Sequence, residues 1–312
     1  MKTIHCVGIA VVDVLSGPIE QYPIPRVRTQ VTTKWVRTMA GGGAANAPSA
    51  LARMGLAVSS FFKVGNDLHG EFIRRELESV GVNTSGVCVS ATETTPFTFV
   101  AVHANGDRTF IHTPGANLSF ALDDLRMDSV LACDLLLYHD LWVLPGIDGQ
   151  PAATLLQEAQ KRGVVTFLDE DFGYGPQRDL LEAMLPFCDY VMPSFDDLQI
   201  LYPGTSPEQM VGILLAQGAR TVVLKLGANG CLVARGDQRI PVPAVATKVV
   251  DTTGAGDCWD AGFMAALASG EDLLAAARIG NACAAFCIEA VGGASGVPRY
   301  QAVRQRAALP GA

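Results

Sequence analysis

Val249-Val250-Asp251-Thr252-Thr253-Gly254-Ala255-Gly256-Asp257-Cys258-Trp259-Asp260-Ala261-Gly262-Phe263 begins as a polar turn with two glycines and runs directly into an apolar helical pattern. The first N–H groups of a helix have no partner inside it, and Gly254 and Gly256 leave that backbone free of bulky side chains. Such a terminus is an anion cradle. Asp257 puts a carboxylate beside the place where a phosphoryl group would sit. It would repel phosphate there unless it had work to do, and accepting the proton of an attacking hydroxyl is such work. A plain tight turn with Asp257 as helix cap is the other reading of the same residues.

Outward from this turn the chain alternates. Short apolar or β-branched runs at Ile4–Val12, Ser59–Val64, Leu135–Tyr138, Val164–Leu168, Tyr190–Met192 and Thr221–Leu226 predict strands. Amphipathic stretches between them predict helices over about 44–54, 70–80, 150–162 and 207–217. In the second of these, Phe72, Ile73, Leu77 and Val80 form an apolar stripe that ends at Gly81. Strands alternating with helices imply crossover units and a mostly parallel sheet covered on both faces, the α/β class.

Two stretches break the rhythm. In Thr29–Met39 the residues Val31, Thr33, Trp35 and Met39 share one face, and Thr95–Ile111 reads as two alternating runs about Asn105-Gly106, a strong hairpin signal. A small β-appendage from two chain segments is expected, placed to cover a site at the carboxyl edge of the parallel sheet.

Composition narrows the function. The 312 residues, 49% hydrophobic and 17% charged, suffice for a large buried core. Lysine and arginine number 23 against 31 aspartate and glutamate, a net charge of −8, which opposes a surface tracking nucleic-acid phosphates. The 8 cysteines form no Cys-x-x-Cys pair, so neither a zinc ribbon nor a dithiol site is signalled. The apolar N-terminus holds His5, ends at Asp13 and has no small-residue cleavage site. No apolar run approaches bilayer length. A cytoplasmic protein with no membrane partner is the expectation.

The turn also carries a resemblance. Asp251 to Asp257 matches, residue for residue, the Asp-Thr-Thr-Gly-Ala-Gly-Asp run of the ribokinase-like (PfkB) carbohydrate kinases. Their N-terminal glycine signature is matched by Gly41-Gly42-Gly43-Ala44-Ala45-Asn46 leading into Ala50-Leu51-Ala52-Arg53-Met54-Gly55, and then by Val64-Gly65-Asn66-Asp67 with Gly70. The resemblance implies a three-layer α/β sandwich with a mostly parallel central sheet. It implies one domain over 1–312, with a β-sheet lid from about 14–39 and 92–114. The activity it implies is ATP-dependent phosphorylation of a monosaccharide hydroxyl, fructose or ribose being the first guesses. A nucleoside kinase, or a sugar-binding regulator without catalysis, are the alternatives.

Residue by residue, the resemblance makes Asp257 the base, with Gly254, Ala255 and Gly256 offering N–H groups to the transferring phosphoryl oxygens. Asp13, Gly42, Gly43 and Asn46 hold sugar hydroxyls, while Lys225, Gly227, Asn281 and Ser194 belong to the nucleotide. Asp197 is implied for Mg2+. Asp251, Thr253, Ile288, Val291 and Gly293 resemble the monovalent-cation site, for K+, of some members. Similar kinases also pair through the lid, and an apolar face with Trp35, Phe97 and Phe99 would suit a homodimer.

Departures from the family pattern are equally visible. The usual Asn-x-x-Glu appears as Ser194-Phe195-Asp196-Asp197, and Asp169-Glu170-Asp171-Phe172-Gly173 lacks the arginine that several sugar-acid kinases place there. Gly41-x-Gly43-x-x-Asn46 fits a dinucleotide fingerprint only loosely, because the final glycine is replaced. His5, His69, His103, His112 and His139 have no metal spacing. His139-Asp140 follows a strand and either lines the sugar pocket or serves locally. Lys225 either meets phosphate or solvates a strand end. Trp35 and Arg37 are candidates for sugar contact, Trp142 and Trp259 for packing, and Arg108 for substrate steering or hairpin solvation.

Overall fold

The computed structural model describes residues 2–20, 30–104, 108–171 and 173–308. In chain order, β1 (Thr3–Val7) is followed by β2 (Val11–Ile19), β3 (Trp35–Gly41), α1 (Gly43–Met54), β4 (Ala57–Phe61) and β5 (Lys63–Gly65). Then come α2 (Leu68–Ser79), β6 (Cys88–Ser90), β7 (Phe97–His103), β8 (Arg108–Thr113), α3 (Met127–Val130) and β9 (Leu135–Leu141). Helix α4 (Gln150–Lys161), β10 (Val165–Glu170), α5 (Arg178–Met184), β11 (Tyr190–Val191), α6 (Phe195–Leu201) and α7 (Pro207–Ala216) follow. Strands β12 (Val222–Lys225), β13 (Cys231–Arg235) and β14 (Gln238–Val242) precede α8 (Ala255–Ala268), α9 (Leu273–Ile288) and α10 (Tyr300–Ala308).

The large sheet has the order β14-β13-β12-β11-β10-β9-β1-β4. It is parallel from β4 to β12 and antiparallel at the β13–β14 edge. Its central strands β1, β9, β10 and β12 are buried on both faces, as their near-continuous apolar runs require. Along β9, Leu135 and Leu137 enter the core beneath α1, α8 and α9, whereas Leu136 and Tyr138 enter the core beneath α4 and α7. This alternation is the two-residue period of a strand made into two core layers. From β1 the chain crosses to β4 on one side, and β9 later joins β1 on the other. The order therefore reverses at β1, and the crevice at the carboxyl ends of β1 and β9 is where an open sheet of this kind takes a ligand.

A second, four-stranded sheet has the order β3-β2-β7-β8. Its hairpin partners Val102 and Arg108 are in register, but the Asn105-Gly106 turn lies outside the described residues, as does Thr29.

Several boundaries differ from expectation for identifiable reasons. Ile4–Val12 is not one strand: the chain leaves the large sheet at Gly8, where Ile9 N–H donates to Asp140 Oδ2 at 2.8 Å, and enters the small sheet at Val11. Ser59–Val64 divides at Phe62, whose carbonyl accepts from Cys88 N and so directs β5 toward β6. Strand β3 starts at Trp35, opposite Gly17, so Val31 and Thr33 are not in it. Helix α2 starts at Leu68 because Asp67 caps it by accepting from Gly70 N at 2.9 Å. Helix α9 starts after Asp272, which caps it by accepting from Ala275 N at 2.8 Å, and ends at Ile288.

Candidate active site

A cleft of about 890 Å³ lies at the carboxyl ends of the parallel strands, within the size range of small-ligand pockets. Asp13 reaches it from β2, Gly42, Gly43 and Asn46 from the start of α1, and the Thr252–Asp257 turn from the start of α8. The ends of β9, β10 and β12 bring His139 and Asp140, Asp169 and Glu170, and Lys225. Crossover topology thus collects residues far apart in sequence at one edge.

Asp257 stands in the first turn of α8, where the N–H groups of Gly256 and Asp257 have no carbonyl four residues back within the helix. Gly254 takes φ 74°, and a Cβ there would come within 2.9 Å of Gly293 Cα and 3.3 Å of Asn46 Nδ2, so the bare turn is required. Asn46 Nδ2 donates to Asp257 Oδ2 at 2.7 Å, and His139 Nε2 lies 3.2 Å from Asp257 Oδ1. Burial alone would raise this carboxyl. The contact and charge of His139, then Asn46 and Lys225, outweigh it and hold Asp257 below the usual carboxylate range.

His139 is the residue whose part in the site sequence reading left open. Its Nε2 is also 3.3 Å from Asp169 Oδ2 and from Asp260 Oδ2, and its Nδ1 is 3.2 Å from Asp140 Oδ1. Burial opposes its charge, but the surrounding carboxylates, Asp140 first, carry its pKa well above the ordinary imidazole value. A Cβ on Gly43 would lie 2.1 Å from His139 Nδ1, so only glycine lets α1 start this close. Asp140, at φ 64°, ties the two walls together: Oδ2 accepts from Ile9 N and Oδ1 from Gly43 N at 3.1 Å. Asp260 was not singled out from sequence. Its position one helical turn after Asp257 was the available signal, since residues three apart share a helix face.

Lys225 lines the cleft at the end of β12 and is held there by carboxylates. Its Nζ is 2.6 Å from Asp169 Oδ2 and 3.4 Å from Asp260 Oδ1, inside the protein beside the cleft. Burial works against the ammonium, yet the carboxylates keep it protonated. Asp169, Asp260, Lys225 and His139 therefore form one buried cluster of ionisable groups beside Asp257.

Ser194 stands at the N-terminal boundary of α6, where its side chain makes no capping hydrogen bond, and its N–H donates to Glu170 Oε1 at 2.6 Å. Gly227, Ser194, Asp197 and Asn281 all line the cleft, with Val245, Ala284 and Ala285 forming an apolar wall. The Asn281 side chain is taken up in holding that wall: Oδ1 accepts from Trp259 Nε1 at 2.7 Å, and Nδ2 donates to the Pro243 carbonyl at 2.9 Å. Glu170 Oε2 is buried without a donor. Burial, then the charges of Asp169 and Asp197, push the Glu170 carboxyl well up. An oxygen-only group of this kind fits a hard divalent cation such as Mg2+.

On the sugar side, Asp13 is pushed up to about 6 by burial, against a hydrogen bond from Thr98. Trp35 and Arg37 sit together on β3, the guanidinium 5.9 Å from the ring centroid, and neither is among the residues lining the cleft. Trp142 and Trp259 are buried packing residues. Arg108 neither steers from solvent nor solvates a hairpin: it pairs with Asp251 at 2.6 Å and donates to Thr253 Oγ1. Asp251, Thr253, Ile288, Val291 and Gly293 are brought together, but their oxygens already accept hydrogen bonds within the chain, and they do not fit a further cation.

Comparison with known proteins agrees with this geometry. The family model described as "pfkB family carbohydrate kinase" matches residues 1–299. An uncharacterized sugar kinase of Archaeoglobus fulgidus is 32% identical over 257 residues, 80% of this chain and 98% of that protein. Ribokinase of Bacillus subtilis is 26% identical over 309 residues, covering 98% and 99% of the two chains. The structure of Arabidopsis thaliana ribokinase complexed with ribose and ATP superposes with a TM-score of 0.84 at 25% identity, covering 99% of each chain. With two separated glycine motifs meeting at one carboxylate in a matching fold, the chain belongs to the pfkB family of carbohydrate kinases.

Proposed function

We propose that this chain transfers the γ-phosphoryl group of ATP to a hydroxyl of an uncharged monosaccharide resembling fructose or ribose, with Asp257 as the base. That it is an ATP-dependent carbohydrate kinase follows from its family and from ribokinase and fructokinase relatives. The observation that carries the assignment of the base is the Asp257 carboxylate, held ionised between Asn46 and His139 at the N-terminus of α8. Asp257 takes the hydroxyl proton as the sugar oxygen bonds to phosphorus and the bond to the ADP oxygen breaks. Gly254 and Gly256 offer backbone N–H groups to the charge spread over the phosphoryl oxygens, whereas the Ala255 N–H, expected to do the same, donates to the Thr252 carbonyl at 3.2 Å. Asp13, Gly42, Gly43 and Asn46 orient the sugar, and Gly227, Ser194, Lys225 and Asn281 shape the nucleotide half.

The cleft lining supports an uncharged acceptor. Eight carboxylates, Asp13, Asp140, Asp169, Glu170, Asp171, Asp196, Asp197 and Asp257, face one lysine and one histidine, and that lysine is already paired. Burial raises Asp13, Glu170 and Asp171, so the repulsion that a phosphorylated sugar or uncompensated ATP would meet comes from the carboxylates that stay ionised, Asp257 among them. Asp197 and Glu170 would hold Mg2+, which when bound offsets the charge of the β- and γ-phosphates.

We read residues 1–312 as one functional unit and the small sheet as its lid, because Arg108 on β8 reaches the turn that carries the cradle. Exposed apolar side chains on the small sheet support pairing of two copies: Val36 is 64% and Ile111 62% exposed on one face and Phe110 62% exposed on the other, whereas Phe97 and Phe99 are partly covered. A cytoplasmic location is supported by eight free cysteines. Among the described residues no helix is long and apolar enough to cross a membrane.

The test is ADP release with Mg-ATP across pentoses, hexoses, ketoses, sugar acids and nucleosides. Nucleosides are included because a nucleoside kinase of Methanothermobacter thermautotrophicus is 26% identical over 283 residues. Turnover on one neutral sugar supports the proposal. Turnover on nucleosides alone replaces the substrate class, and binding of sugar and ATP without turnover turns the protein into a regulator.

A further inference from the structure

The turn that leads into α8 already contains its own cation. Asp251 Oδ1 accepts from Thr253 N at 2.9 Å and from Arg108 Nη2 at 2.6 Å, while Oδ2 accepts from Gly292 N at 3.0 Å. Arg108 Nη1 donates to Thr253 Oγ1, so one guanidinium holds both a carboxylate and a hydroxyl of the turn. The remaining oxygens are engaged too. The Ile288 carbonyl accepts from Val250 N at 2.7 Å and Asp251 N at 3.1 Å, which uses both its lone pairs. The Val291 carbonyl accepts from Ser295 Oγ at 2.9 Å. Cys287 Sγ donates to the Gly293 carbonyl at 2.9 Å and contacts the Thr253 carbonyl at 3.4 Å.

We infer that Arg108 is the resident cation of the Asp251–Gly254 turn, replacing an inorganic monovalent ion, and that catalysis by this chain is therefore independent of K+. Asp251 is buried to 2% exposure and its ion-pair partner to 23%, so the pair is largely withdrawn from screening by salt. A second cation would meet the guanidinium's charge and would have to share Asp251 with it, Oδ2 already accepting from Gly292 N. The planar fork of arginine suits this double contact in a way that a lysine ammonium does not. Arg108 opens β8, so the small sheet contributes directly to holding the turn that leads into α8. Arg108 is thus a positioning residue. It acts on the phosphoryl group through the turn, and it links the place of the small sheet to the state of the cradle.

The inference rests on the kinase reading for its rate measurements but not for its binding measurement. Phosphorylation would be compared in potassium, sodium and tetramethylammonium chloride at equal ionic strength, for the wild type, Arg108→Ala and Arg108→Lys. Wild-type rates should agree within about twofold, since screening is held constant. Arg108→Ala should lose about 10- to 100-fold through the missing charged hydrogen bonds and regain part of that loss in potassium alone, with Arg108→Lys in between. Potassium should raise the Tm of Arg108→Ala and leave that of the wild type unchanged, because only the variant has an open site. A tenfold rise of wild-type rate with potassium, or a potassium-dependent wild-type Tm, would overturn the inference. So would an Arg108→Ala variant that is as fast as wild type. If no acceptor is turned over, the kinase reading fails and the Tm comparison still decides the cation's identity. The wild-type salt comparison needs no variant to fold.

Discussion

Asn46 Nδ2 stands 2.7 Å from Asp257 Oδ2 although 211 residues separate the two in the chain. The start of α1 and the start of α8 therefore meet head to head, and the amide of one glycine-rich signature orients the carboxylate of the other. An amide donor at this place favours the ionised form of Asp257 and fixes which oxygen faces the cleft. Three changes around this contact, and two in the wider cleft, should be measurable.

Asp257→Asn keeps shape and removes the base. Phosphoryl transfer should fall by about 10²–10⁴-fold, with ATP affinity measured by calorimetry close to wild type. Near-normal turnover would show that another group takes the proton.

Asn46→Ala removes a hydrogen bond to a charged acceptor, worth about 1.5–3 kcal/mol, which is about 10- to 100-fold in kcat if it is felt in the transition state. Because a stabiliser of the ionised form is lost, the acid limb of the pH–rate profile should also move upward. A profile that stays in place while kcat falls would limit Asn46 to sugar binding.

His139→Gln tests the imidazolium. The folded-state pKa of His139 lies well above 6.5, so its stabilisation is complete below about pH 6.5 and is lost as pH rises through the folded value. The Tm difference between wild type and variant should therefore be largest near the acid side of neutrality and shrink toward alkaline pH. The variant's acid limb should shift upward as well, since His139 is the largest of the groups that lower Asp257. A Tm difference that is flat with pH would mean that the ring is neutral.

Asp13 titrates at about 6, raised by burial. As pH falls through that value the carboxylate loses an acceptor, so the KM for sugar should rise while kcat at saturation changes little. The stability sign is opposite to that of a salt-bridged acid: a raised carboxyl favours the folded state when protonated, so its contribution improves as pH falls below about 6. Asp13→Asn should flatten both trends.

Removal of divalent metal should abolish ATP binding and not only turnover, because eight carboxylates line the cleft. Calorimetric titration with ATP in the presence of a chelator, then with Mg2+ restored, reads this directly. Tight ATP binding without metal would show that backbone donors suffice.

The parts legible in the chain were local ones. Turn chemistry at Asp251–Asp257, the glycines before Asn46, and the alternation of strand and helix depend on residues within a few positions of each other. They state an α/β sheet, two anion- and hydroxyl-binding turns and a base. The start of α7 is of the same kind, with Ser206, Pro207 and Gln209 making a capping box. Contacts across strands were not legible. Nothing near Gly8 says that the run Ile4–Val12 must break there, because the cause is Asp140 on a strand that becomes its neighbour only in the sheet. Nothing near Arg108 says that it will face Asp251, 143 residues away.

By itself, then, the sequence determined the class of fold and the two motifs, since backbone propensity and helix-terminus chemistry act over a single turn, and it singled out Asp257 as the candidate base. Only the tertiary structure decided what surrounds Asp257: His139 against four carboxyl groups, Lys225 turned inward to Asp169, and Arg108 against Asp251. The reason is physical. Charge interactions depend on distance and burial, and both are set by which strand lies beside which, a property of the packed chain that no local stretch contains.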